Sequence, residues 1–208
     1  MTEMPGHDSI LSFEKMEENW FNLGGYGKTQ PYLVHTAVGY LRRDEFKHCL
    51  RTFYNNFVAQ CYHDINAFPE HICWRGAADC KTYEEAMYLQ QYRSLLVFEE
   101  GNELWLARAA SRHWFEDGKV IKVIKAPTFF GNVSYTIESR AAKGKIIVLL
   151  EPPTRKMPDA IMLHLRHPDQ KPIQSVTVNG QPYTNFNADR ELIKLDKTAE
   201  KTEIIALY

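Results

Sequence analysis

Three dipeptides punctuate the chain after Glu99: Asp117-Gly118, Lys143-Gly144 and Asn179-Gly180, each set between short runs of alternating apolar and polar residues. Such pairs are turn formers, and Asn-Gly between strands is the strongest short hairpin signal. Ahead of Glu99 the apolar residues instead recur at three- and four-residue spacing. Helices first and strands last predict a segregated α+β chain, because a parallel α/β sheet would interleave the two element types. The boundary is expected near Glu99 to Glu103, giving a helical segment over residues 1–100 and an antiparallel β-sandwich over 101–208.

In the helical half, Leu33, Val34, Ala37, Val38 and Leu41 form one apolar stripe, with Pro31 in a position suited to a first helical turn. Asp44 is the expected N-cap of a second helix, whose stripe runs through Phe46, Cys49, Leu50, Phe53, Tyr54, Phe57, Val58 and Cys61. The short connection makes these a helical hairpin. Thr82 and Glu85 match a capping box, opening a helix with Ala86, Met87, Leu89, Leu95 and Leu96. Ile10 to Phe21 is a weaker helical candidate. Three or four helices with such broad apolar faces need cover, from the β domain, from further helices or from self-association.

About eight strands are expected beyond the boundary. Leu104 and Leu106 open the first, and Trp114 and Phe115 follow in an irregular turn. Val120 to Ile124 is ended by Pro127; Val133, Tyr135 and Ile137 alternate with polar neighbours; Ile146 to Leu150 reads as a central strand. Ile161, Leu163 and Leu165 alternate with His164 and Arg166, and Val176 and Val178 lead into the Asn179-Gly180 hairpin. Leu192 to Leu195 and Glu203 to Leu207 complete the set, at a spacing typical of a sandwich.

The totals exclude more than they assign. A hydrophobic fraction of 44% with 25% charged residues over 208 positions is ordinary globular composition. A formal net charge of -1 gives no electrostatic basis for binding nucleic acid. No apolar run approaches the roughly 18 residues that span a bilayer, and the first residues lack the basic and apolar regions of a secretory signal. All four cysteines, Cys49, Cys61, Cys73 and Cys80, lie in the front half, too few for a disulfide scaffold. As written, the chain reads as reduced and cytoplasmic, while a parent protein exported to the periplasm or beyond would share the same body.

No P-loop, dinucleotide glycine fingerprint, HExxH, EF-hand or GxSxG occurs, and no cofactor is expected. Cys61, His63, His71, Cys73 and Cys80 are close in sequence but lack the short CxxC-type spacing of zinc sites, so no metal is expected. His113, His164 and His167 read as strand-surface or edge residues. Polar and aromatic groups concentrate in two loops, Gly24 to Tyr32 and Phe68 to Gly76. Tyr26, Gln30, Tyr32, His71 and Trp74 suit a sugar, which offers apolar ring faces and hydroxyl edges. Packing at helix ends is the competing role for the aromatics. Glu70, after Pro69 in a loop that follows a long helix, is the carboxylate placed to act on a substrate. Glycosidases pair one such group as acid with a second that activates water or attacks the sugar. A surface or capping role is the competing reading, and no second carboxylate stands at a diagnostic spacing.

The series GGYGKTQPYLVHTAVGYLRRDEFKHCLRTFYN, then PEHI, then EEAMYLQQYRSLLVFEEGNELWLARAASRHWFEDGKVIKVIKAPTFFGNVSYTIESR, with the closing hairpin VTVNGQPY, resembles the C-terminal part of bacterial glycoside hydrolase-like proteins. The resemblance covers nearly the whole chain through diffuse patterns. It implies the end of an (α/α)6 toroid followed by a β-sandwich, with the sugar site at loops on one end of the ring. It also implies that Glu70 occupies a loop able to supply an acidic residue, and that upstream helices would carry the other carboxylate. The chain is therefore expected to be a C-terminal fragment, inactive alone. Two alternatives stay open. One is a carbohydrate-binding module using Trp105, Trp114, Phe129 and Phe130, and the other is an interaction subunit docking a partner on its helical face.

Overall fold

The computed structural model describes residues 36–61, 65–69 and 81–208, residues 36, 59 and 60 by their backbone alone. The chain divides into two compact units, one ending at Ser94 and the other running from Leu95 to Tyr208.

The described part of the first unit is helical. Helix α1 (Thr36–Arg42) and helix α2 (Phe46–Gln60) are joined by Arg43, Asp44 and Glu45. Ala37 and Leu41 of α1 and Cys49 and Phe53 of α2 are buried, as the stripes predict; Tyr40 is buried as well, whereas Tyr54 and Val58 of the second stripe are exposed, as are Arg42 and Arg43. Asp44 is not the N-cap. Its backbone turns left-handed (φ 62°), and Glu45 takes the cap position without a side-chain capping bond. The Glu45 carboxylate is engaged elsewhere, accepting from Arg43 Nε at 2.8 Å and lying 3.2 Å from His48 Nδ1. Helix α3 (Thr82–Leu96) begins one residue before the capping box would place it, since the Lys81 carbonyl accepts from the amides of Glu84 and Glu85. Its burial is not that of a simple apolar stripe: Glu84, Gln91 and Ser94 are buried while Ala86 and Leu89 are exposed. Leu33, Val34, Pro31 and the Ile10 to Phe21 candidate lie outside the described residues.

The second unit holds two sheets around one core. Strands β1 (Val97–Glu100), β2 (Glu103–Leu106), β6 (Ala160–His164), β10 (Leu192–Leu195) and β9 (Phe186–Asn187) form the five-stranded sheet, in that order. The six-stranded sheet runs β3 (Val120–Thr128), β4 (Gly131–Arg140), β5 (Lys145–Glu151), β11 (Thr202–Leu207), β7 (Ser175–Val178) and β8 (Gln181–Tyr183). Leu104, Leu106, Ile161, Leu163 and Ile193 from the first sheet meet Val133, Tyr135, Ile137, Val148, Ile204 and Ala206 from the second in one apolar cluster. The segregated α+β order and the sandwich-like body thus stand. The sheets are not wholly antiparallel, however, because β2 and β6 pair in parallel with Leu104 opposite Ile161. The chain leaves β2 for the other sheet and re-enters beside it in the same direction.

The predicted turns form where the glycines permit them. Asn179 and Gly180 both have positive φ (50° and 77°) and join Val178 to Gln181, the backbone that a two-residue hairpin requires. Gly144 is left-handed (φ 64°), and a Cβ there would stand 3.2 Å from the Tyr208 carbonyl. Three expectations change. Glu-Glu-Gly-Asn does not close a helix: it is the turn of the β1–β2 hairpin, with Glu100 opposite Glu103 and Gly101 at φ 59°. Pro127 does not end its strand, since β3 continues to Thr128 past a register shift between Val123 and Ala126. It is tolerated because β3 is an edge strand, where a missing amide leaves no ladder bond unmade. The Ile146 to Leu150 strand is central, yet only Ile146, Val148 and Leu150 point inward, and Leu149 is 55% exposed.

Candidate functional site

Glu70, the expected catalytic carboxylate, and Tyr26, Gln30, Tyr32, His71 and Trp74, the expected sugar contacts, all lie outside the described residues. So do His63, Cys73 and Cys80 of the weighed metal set, while Cys49 and Cys61 are buried. The structure does describe the residues on either side of 70–80. Ala67, Phe68 and Pro69 are buried, and the Lys81 amide donates to the Phe68 carbonyl at 2.9 Å. Phe57, Phe68 and Tyr88 pack their rings together beside this bond, with centroids 5.3–6.1 Å apart. Phe53 stacks on Tyr88 at 5.3 Å, and Tyr92 continues the cluster. Burial, then the neighbouring tyrosines, raises the Tyr54 phenol, and burial, then Tyr92 and Cys61, raises that of Tyr88; both therefore stay neutral. The helical spacing of α2 signals Phe53 and Phe57, whereas Tyr88 and Tyr92 are missed because α3 has no clean apolar period.

In the second unit a groove of about 650 Å³ opens at one end of the six-stranded sheet, where β3, β4, β5 and the approach to β11 come together. Its lining includes Lys125, Asn132, Ser134, Glu151, Arg155 and Lys201. Each is placed by local backbone. Lys125 sits at the β3 irregularity with φ 49°, and its amide donates to Ser134 Oγ at 2.9 Å. Ser134 pairs with Glu151 across β4 and β5, and Lys201 Nζ lies 2.6 Å from the Glu151 carboxylate. Arg155 Nη2 donates to the carbonyls of Thr128 and Phe129, at 3.2 and 2.7 Å, which ties the loop after β5 to the β3–β4 turn. Gly131 makes that approach possible: at φ 115° an added Cβ would come within 3.1 Å of the Arg155 backbone nitrogen.

The aromatics expected to stack on sugar in a binding module are not a surface set. Trp105 and Phe130 are buried, Trp114 packs partly against the core, and Phe129 alone of the four is widely exposed, at 73%. Trp105 lies between two neighbours, stacked on His164 at 5.9 Å and covered by the Arg108 guanidinium at 3.9 Å.

Two of the three histidines also move from their expected places. His113 is exposed beside Glu116, but His164 and His167 are buried. His167 belongs to an interior polar network. Glu191 accepts from both Arg112 Nη1 and Nη2, at 2.9 and 2.6 Å, and from the His167 amide at 2.8 Å. Arg166 is fully enclosed, donating to the carbonyls of Ala107 and Arg108. These bonds tie the segments that follow β2 and β6 and precede β10, neighbours in the five-stranded sheet, to the turn at Arg112.

No family model matches the chain, and no curated protein matches it. Among solved structures it is similar to a glycoside hydrolase at 14% identity, over 94% of this chain and 31% of that one, with a TM-score of 0.39. It is similar to a GH127 β-arabinofuranosidase at 14% identity, over 83% of this chain and 31% of that one, with a TM-score of 0.42. It is also similar to an uncharacterised protein of Listeria monocytogenes at 13% identity, over 50% of this chain and 10% of that one, with a TM-score of 0.35. The chain thus spans between 10% and 31% of the length of these structures.

Proposed function

We propose that the chain is the closing part of a glycoside hydrolase-like protein, in which a helical domain cleaves glycosidic bonds with paired carboxylates. The observation that supports this reading is the passage of α3 without a break into β1 of a two-sheet sandwich. That passage falls within the stretch, residues 84–140, that carries most of the sequence resemblance. In this reading Glu70 is an acid, a base or a sugar ligand, two positions after Phe68, whose carbonyl accepts from the Lys81 amide. Tyr26, Gln30, Tyr32, His71 and Trp74 surround the sugar. Hydrolysis requires a second carboxylate about 5–9.5 Å from the first, the range that spans retaining and inverting geometries. We place that partner outside this chain, which is then inactive alone.

The test is an assay of the purified chain against a panel of aryl glycosides, beside its Glu70→Gln variant. No turnover by either protein is expected. Robust hydrolysis abolished by the substitution would overturn the inactivity while assigning Glu70, and hydrolysis indifferent to it would remove Glu70 from the account.

A further inference from the structure

We infer that the groove at the end of the six-stranded sheet is a binding site for an acidic saccharide, one bearing uronate carboxylates; this rests on the carbohydrate reading of the chain. The charge is the first argument. Lys125, Arg155 and Lys201 line the groove against a lone carboxylate, Glu151, in a chain whose formal net charge is -1. Glu151 is already neutralised by Lys201 at 2.6 Å. Among the described residues no carboxylate pairs with Lys125 or Arg155, so two cations face the groove without a counter-charge. The remaining lining is the second argument. Asn132, Ser134 and Thr154 supply amide and hydroxyl groups of the kind that meet sugar hydroxyls, and Pro152 gives an apolar face.

Preorganisation is the third. Arg155 is fixed by two carbonyls, Gly131 lets its loop sit against the turn, and the irregularity at Lys125 bends the edge strand locally. A site of this kind binds with little ordering cost in the protein. Its volume, about 650 Å³, lies within the range of small-ligand pockets.

Isothermal titration of the purified chain with a tetragalacturonate, with a neutral tetrasaccharide and with inorganic phosphate tests the assignment. The tetragalacturonate is expected to bind, and more weakly as salt rises. Lys125→Gln should weaken it about fivefold, the effect of losing one exposed charge contact. Lys201→Gln should weaken it more, because it also frees Glu151 to repel the ligand, and Lys122→Gln, an exposed change on β3 outside the groove, should leave it unchanged. Binding of the neutral sugar as tightly as the uronate would overturn the acidic specificity and leave the carbohydrate reading standing. Phosphate binding as tightly as the uronate, or uronate binding indifferent to both groove lysines, would overturn the site. Absence of any saccharide binding would also overturn it, with the glycosidase reading judged separately by the Glu70 assay.

Discussion

Two buried histidines predict a loss of stability of the sandwich toward acid pH. His164 is pressed well below its ordinary value, first by burial and then by the charges of Arg166 and Arg108. His167 is lowered too, first by burial and then by Lys171. A base whose folded value is depressed stays neutral in the native state while the unfolded chain takes up a proton near pH 6.5. The unfolded state then binds more protons, so stability is full above about pH 6.5 and falls as the pH drops toward the folded values. Denaturant melts from pH 7.5 to 5 should show this loss, with a slope of up to about 1.4 kcal/mol per pH unit for each histidine. His164→Asn should flatten the slope whatever it does to stability at pH 7.5; an unchanged slope would show that His164 does not carry it. None of this was legible locally. His164 alternates with apolar residues as a half-exposed strand residue would, and its burial follows from a sheet covered on both faces at β6. Arg112 and Glu191 lie 79 positions apart, so no spacing rule connects them.

At the scale of elements, turn chemistry was the most legible signal and edge behaviour the least. Asn179-Gly180 is a hairpin in both sequence and structure because few other pairs accept two successive positive φ values. Asn179 also ties the turn to β11: its Oδ1 accepts from the Glu203 amide and its own amide donates to the Glu203 carbonyl, both at 2.8 Å. Asn179→Ala should cost about 1–2 kcal/mol, combining a lost hydrogen bond with left-handed backbone strain. Asn179→Gly, which keeps the backbone freedom and loses only the side-chain bond, should cost less. Equal costs in chemical denaturation would mean that the backbone conformation contributes nothing. Pro127 illustrates the opposite case. A proline normally closes a strand, and only the sheet order, which leaves β3 at an edge, explains its continuation. Strand β1 was hidden for a related reason: Val97 and Phe98 follow Leu95 and Leu96 and extend an apolar run that reads equally as helix.

That ambiguity sets where the molecule divides. The sequence places the boundary at residues 100/101, where Glu-Glu-Gly-Asn interrupts the apolar pattern, and the compact units part at Ser94 and Leu95. Residues 95–100 are bound into the second unit by specific bonds. The Ala109 amide donates to the Leu95 carbonyl at 3.0 Å, and the Leu96 carbonyl accepts from the Ala107 amide and from the Tyr135 hydroxyl at 2.8 and 2.9 Å. Val97 is buried in the core cluster, and β1 pairs along β2 from Val97 opposite Leu106 to Glu100 opposite Glu103. Cutting after Glu100 would leave Tyr135 without its acceptor and remove the buried Leu95 and Val97 side chains, worth about 1.5–3 kcal/mol each. A fragment over residues 95–208 should therefore unfold in one cooperative thermal transition, while 101–208 should melt many degrees lower or bind hydrophobic dye as an incompletely packed state. Equal melting of the two fragments would place the boundary at residue 100 and reduce β1 to a dispensable edge. If neither fragment melts cooperatively, the sandwich depends on the helices for its folding, and the division into two units is one of compactness alone.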